Sequence, residues 1–139
     1  MDRIGILVVD DADEVRRDLR TILELTPDLA VAGEATNGLE AVTLAEQLRP
    51  DVVLMDLRMP GLDGFEATQM IKRRGLAGAV VILTIYGEED QRARAAALGA
   101  DAFVEKAAGV ERLLAAIRQV HAQPSTAALG QLQEVARGV

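Results

Sequence analysis

Short apolar runs rich in valine, isoleucine and leucine alternate along this chain with segments whose apolar residues recur at helical spacing. That alternation is the pattern of a parallel sheet covered on both faces, because strands buried on two sides read as near-continuous apolar runs. Five runs stand out as strands: residues 4–9, 29–34, 51–56, 79–84 and 101–104. Between them lie helical stripes, first Val15, Leu19, Ile22 and Leu23, then Leu39, Val42, Ala45 and Leu48, and then Phe65, Thr68 and Ile71. Val110, Leu113, Leu114, Ile117 and Val120 form the last and strongest stripe. Segment 88–98 is mostly alanine and charge, with Leu98 as its one large apolar anchor, and is expected to pack least firmly. Asn37-Gly38, Pro50, Gly75, Gly78 and Gly99 punctuate these boundaries where turns and helix ends fall. The expected fold is α/β, a doubly wound (βα)5 domain.

At 139 residues, half of them hydrophobic, the chain has the apolar content for one compact core. It has no cysteine and no run near 18 apolar residues, and its start reads as a strand rather than a leader. Cytoplasmic residence without disulfides or membrane spans is the expectation. A net charge of -7 offers no basic footprint for a nucleic-acid backbone, so direct DNA contact by this chain is not expected.

In a doubly wound sheet, ligands bind at the carboxyl ends of the strands. Asp10-Asp11 closes the first apolar run, Asp56 the third and Thr84 the fourth, and Lys106 falls just beyond the fifth. Two unit charges about 4 Å apart at an effective dielectric near 20 repel by about 4 kcal/mol, so three gathered carboxylates call for a cation or a proton. Each residue also has a plainer reading. Asp11 with Glu14 fits a capping-box spacing loosely, Thr84 suits any strand, Lys106 suits any solvated loop and Phe103 suits any core. Asp56, ending an apolar strand before a Pro60-Gly61 turn, is hard to explain by packing.

Val8-Val9-Asp10-Asp11, Met55-Asp56-Leu57-Arg58-Met59-Pro60-Gly61-Leu62-Asp63-Gly64, Leu83-Thr84 and Phe103-Val104-Glu105-Lys106 together resemble the ordered signature of receiver domains of bacterial two-component response regulators. The stretches Val31 to Gly38 and Leu48 to Val53 are most similar to receivers of the NarL/FixJ type. The resemblance covers about residues 3–121 and implies a flavodoxin-like strand order 2-1-3-4-5. It implies that Asp56 accepts a phosphoryl group from a sensor histidine kinase, with Mg²⁺ held by Asp10, Asp11, Asp56 and the Arg58 carbonyl, Asp10 acting largely through water. Lys106 would pair with Asp56 and then with the phosphoryl group, and Thr84 would donate its hydroxyl. Phe103 would turn inward as Thr84 moves, switching a surface over residues 88–121.

On that surface Arg92, Arg94, Glu111, Arg112 and Arg118 are candidates for intersubunit ion pairs in a phosphorylation-linked homodimer. Arg58 and Tyr86 occupy the positions that tune hydrolysis of the aspartyl phosphate, and their bulk implies slow loss. Ile85 stands where relatives often carry a small residue, which implies restricted access. The chain itself is a phosphoacceptor signalling domain rather than an enzyme on this reading. Residues 1–121 form the receiver and residues 122–139 a linker or short helix with Leu129, Leu132 and Val135 on one side, too few for the DNA-binding domain that NarL-type receivers normally carry. The chain is then either a receiver alone or part of a longer regulator.

Other classes remain on the table. A degenerate receiver would act by phosphorylation-independent contacts. Asp11-Ala12-Asp13 is similar to the Asp-x-Asp of haloacid-dehalogenase-type phosphatases, with Asp11 as nucleophile, but that reading leaves Asp56 unexplained. A flavin or nucleotide module would need an anion cradle after the first strand, where this chain places carboxylates.

Overall fold

In the computed structural model, residues 2–59, 61–85 and 87–122 are described; the proposed tail and Tyr86 lie outside them. Strands β1 (Ile4–Val9), β2 (Leu29–Ala35), β3 (Val52–Met55), β4 (Ala79–Thr84) and β5 (Ala102–Glu105) alternate with helices α1 (Asp13–Glu24), α2 (Gly38–Leu48), α3 (Gly64–Arg74), α4 (Glu89–Ala97) and α5 (Val110–Ala122). All pairings are parallel, in the order β2-β1-β3-β4-β5. The reversal of strand order falls between β1 and β3, the carboxyl ends of which carry Asp10, Asp11 and Asp56.

Strand periodicity divides the core in two. Ile4, Ile6 and Val8 of β1, with Val52, Leu54, Val81 and Leu83, pack against Leu19 and Leu23 of α1 and Leu113, Ala116 and Ile117 of α5. Leu7, Val9, Val53, Met55, Val80 and Ile82 point the other way, onto Ala41, Val42, Phe65 and Ile71 of α2 and α3. Every residue of β3 and β4 is buried, which is why those runs show no polar alternation. Burial of each large side chain contributes about 1.5–3 kcal/mol, so these two layers supply most of the stabilisation.

The α2 stripe differs from the sequence expectation. Val42 and Ala45 of the expected stripe are buried, but Leu39 and Leu48 are 66% and 41% exposed, and Gly38 and Ala41 complete the buried face in their place. Close approach is the cause, since a Cβ on Gly38 would stand 2.1 Å from the Leu62 carbonyl oxygen. Val110, expected in the α5 stripe, is likewise 44% exposed at the start of its helix.

Asn37 and Asp63 cap α2 and α3 by accepting the backbone N–H groups of Glu40 and Glu66, at 2.8 and 2.9 Å. Helix α4 lacks such a cap and buries only Ala95. It is fastened instead by two arginines. The Arg92 guanidinium lies 4.7 Å from the Phe103 ring centre and that of Arg94 lies 4.1 Å from the Phe65 ring centre. Phe65 and Phe103 are the chain's two phenylalanines, and one helix covers both.

The loop after β3 folds back tightly on α3. A Cβ on Gly64 would stand 2.1 Å from the Asp56 carbonyl oxygen and 2.7 Å from the Leu57 Cα, both backbone atoms that cannot swing aside. Gly64→Ala is expected to cost about 1–3 kcal/mol by overpacking, read as a lowered urea midpoint with unchanged slope.

Candidate functional site

The loops following β1, β3, β4 and β5 enclose a cleft of about 240 Å³ lined by Asp10, Asp11, Ala12, Val15, Asp56, Arg58, Thr84, Ile85 and Lys106. Parallel pairing places these loops together, because every strand of the sheet ends on the same edge. One carboxylate oxygen each from Asp10, Asp11 and Asp56 lies within 4.8 Å of the other two. Asp10, Asp56 and Thr84 are buried, whereas Asp11 and Arg58 are exposed.

Asp10 is the most firmly held. Its N–H donates to the Ala35 carbonyl at 3.1 Å, its Oδ1 accepts the Ala12 N–H at 2.9 Å, and its Oδ2 accepts Lys106 Nζ at 2.9 Å. Lys106 therefore bonds Asp10 in this state, where the sequence reading paired it with Asp56. Burial explains the difference. The Asp10 side chain is 3% exposed, and a carboxylate so desolvated requires a direct counter-charge.

Asp11 does not cap α1. The N-cap is Ala12, with no side-chain hydrogen bond, and it is the Asp10 carboxylate that receives its N–H.

Asp56 shows the cost of the cluster. Burial and the neighbouring Asp10 charge push its carboxyl up to about 6, while Lys106 and the Arg58 backbone N–H pull it down and Asp11 adds a smaller upward push. The group is thus half-ionised near pH 6, well above the ordinary carboxylate range. It would favour a cation that neutralises its neighbours.

Both proposed switch residues, Thr84 and Phe103, are buried in this state. Phe103 is already buried, 8% exposed, beneath Arg92, whose Nη1 also donates to the Phe103 carbonyl at 3.3 Å. Arg92 and Arg94, candidates for intersubunit pairs, are engaged on aromatic rings, and Arg118 forms a two-pronged pair with Asp28 at 2.9 Å within the chain. Ile85 is 62% exposed at the cleft's rim.

Sequence reasoning missed two contributors. Gly64 lets the backbone close beneath Asp56, and Arg16 reaches from α1 to the Asp10 carbonyl at 2.7 Å. The first was visible as a glycine opening a helix. The second had only its position, six residues beyond Asp10.

Fold and site together define a class. A family model described as the response regulator receiver domain matches residues 6–118, and the chain belongs to that family, the receiver domains of two-component response regulators. It is 36% identical over 117 residues to the nitrate/nitrite response regulator protein NarL of Escherichia coli, covering 84% of this chain and 54% of that protein. It is 42% identical over 119 residues to the response regulator GacA of Pseudomonas aeruginosa, covering 86% and 56%. These relatives are of the NarL/FixJ type, and the chain spans about half the length of the curated relatives it matches.

Among solved structures, the response regulator domain of Thermotoga maritima CheB has a TM-score of 0.80 at 36% identity, covering 86% of this chain and 96% of that one. The signal receiver domain of a NarL from Mycobacterium tuberculosis has a TM-score of 0.78 at 27% identity, covering 85% and 98%. Among the described residues no helix is long and apolar enough to cross a membrane.

The Asp56 value fixes a pH dependence. Its folded-state value of about 6 lies above the ordinary 3.8, so the fold binds a proton that the unfolded chain releases, and this group's contribution to stability falls as pH rises from about 4 to about 6. Asp56→Asn removes the buried charge. It should raise Tm by about 5 °C at pH 7.5 in the absence of divalent cations and lose that advantage near pH 4, measured by thermal unfolding at both pH values.

Proposed function

We propose that the chain is a phosphoacceptor in which Asp56 takes a phosphoryl group from the phosphohistidine of a sensor histidine kinase. One observation carries the proposal. Three carboxylates, a buried threonine hydroxyl and a lysine ammonium converge in one cleft at the carboxyl edge of the sheet.

An Asp56 oxygen attacks phosphorus, the P–N bond to the imidazole breaks, and the imidazole departs with the bonding pair, leaving an aspartyl phosphate. The arriving group brings about 1.5–2 negative charges and three strong acceptor oxygens. Lys106 and Thr84 are the donors that meet them, Lys106 by leaving Asp10 and Thr84 through its hydroxyl. Positioning and charge neutralisation are most of what phosphoryl transfer asks of a protein.

The donor set suits Mg²⁺, a hard cation that takes oxygen ligands and keeps several waters. Asp10, Asp11, Asp56 and the Arg58 carbonyl would hold it, and it would supply charge neutralisation at the phosphoryl oxygens. Asp10 would be freed for that role when Lys106 turns to the phosphoryl group.

The readout in this proposal is the surface over residues 88–121. Helix α4 would re-seat, and the altered face would pair two copies or control an output domain carried by a longer parent chain, as in a transcription regulator. Cytoplasmic residence follows from that partner set. Hydrolysis tuning by Arg58 and Tyr86 remains part of the proposal. Exposed Ile85 at the rim favours a second reading, in which a partner's contacts alone switch the surface.

Intact mass with Mg²⁺ and either acetyl phosphate or a phosphorylated kinase separates the two. The expected result is a gain of one phosphoryl group on the wild type, lost in Asp56→Ala and slowed about tenfold or more in Lys106→Ala. No gain from either donor would leave the contact-driven reading.

A further inference from the structure

We infer that Arg16 is a positioning residue for the acidic cluster, fixing the backbone from which Asp11 projects so that the three carboxylates stay within reach of one divalent cation. The inference rests on the cation site proposed above. Asp11 is exposed, and its carboxylate makes no hydrogen bond or ion pair among the described residues, so its place is set by the backbone on either side of it. Two contacts hold that backbone. The Asp10 carboxylate receives the Ala12 N–H at 2.9 Å, and Arg16 Nη1 donates to the Asp10 carbonyl at 2.7 Å. The second contact fixes the plane of the peptide that joins Asp10 to Asp11.

Arg16 is built for the task. Its side chain is only 13% exposed, ion-paired with Asp13 one helical turn away, with Nε 3.6 Å from Glu34 at the end of β2. The guanidinium thereby ties the loop after β1 to the first turn of α1 and to the neighbouring strand. A rigid planar fork suits three such anchors, and a lysine ammonium would reproduce only part of them. Glu34 is held independently by Arg20 at 2.7 Å, so loss of Arg16 would leave that carboxylate paired and disturb chiefly the Asp10 carbonyl.

Geometry and charge predict opposite signs for one substitution. A positive charge behind three carboxylates disfavours a bound cation, so removing it would tighten Mg²⁺ binding if Arg16 acted through charge alone. If it acts by orienting the loop, removing it weakens binding, as loss of groups that orient metal ligands does.

Calorimetric titration of Mg²⁺ into wild type, Arg16→Met and Arg16→Lys at one ionic strength, with thermal unfolding of each, tests this. The expected result is a Kd about tenfold weaker in Arg16→Met, with Arg16→Lys between it and the wild type. A merely structural role would lower Tm without moving Kd. Equal or tighter binding by a folded Arg16→Met overturns the inference. If that variant does not fold, Arg16→Lys decides, since it keeps the charge: weaker binding supports the positioning role and unchanged binding overturns it. Absence of Mg²⁺ binding in the wild type would overturn the cation site itself and this inference with it.

Discussion

Repulsion among the carboxylates at the carboxyl edge of the sheet is the constraint around which the rest of this molecule is arranged. Asp10, Asp11 and Asp56 are brought together by parallel strands that the core holds in register, and the fold meets the resulting cost locally. Lys106 is drawn onto the most buried of the three, the Ala12 N–H takes its other oxygen, and Asp56 absorbs the remainder as a shifted ionisation. Each compensation comes from a different element, so the site reports on the packing of the whole edge. Conversely, the burial of β1, β3 and β4 on both faces is what denies the edge any freedom to spread.

The sequence was most legible where one physical cause dominates. Apolar runs buried on both faces marked the strands to within a residue or so at each end, because few other arrangements tolerate Val52 to Met55 or Ala79 to Thr84 without a polar break. Asp56 stood out for the same reason in reverse, as a charge that packing alone would not place there. Helix α2 was harder. Its leucines fit a helical stripe as well as its alanines do, and only the close approach at Gly38 decides that the small residues face inward.

The electrostatic detail was less accessible still. Which of three neighbouring carboxylates takes the single ammonium depends on relative burial, a property of the assembled loops rather than of spacing. The position of Phe103 was similarly hidden. A phenylalanine in a strand reads as core, but that Arg92 would lie across it depends on how α4 sits, and α4 has the weakest apolar signature of the five helices. Residues that act through other residues, such as Arg16, leave no mark in a pattern of hydrophobicity at all.

The two arginines of α4 divide the molecule by the kind of cohesion that holds each part. Helices α1, α2, α3 and α5 are bound by interdigitated apolar side chains, for which any displacement opens a void and meets a steep penalty. The alanine-lined α4 has little to interdigitate. A guanidinium resting on a ring keeps much of its attraction over small lateral shifts, since the ring's field is broad, and the long aliphatic stem of arginine follows such a shift without strain. The helix is therefore attached in the manner of a sliding joint rather than a keyed one, and a rigid sheet beneath it can remain unchanged while its outer face takes up a new angle.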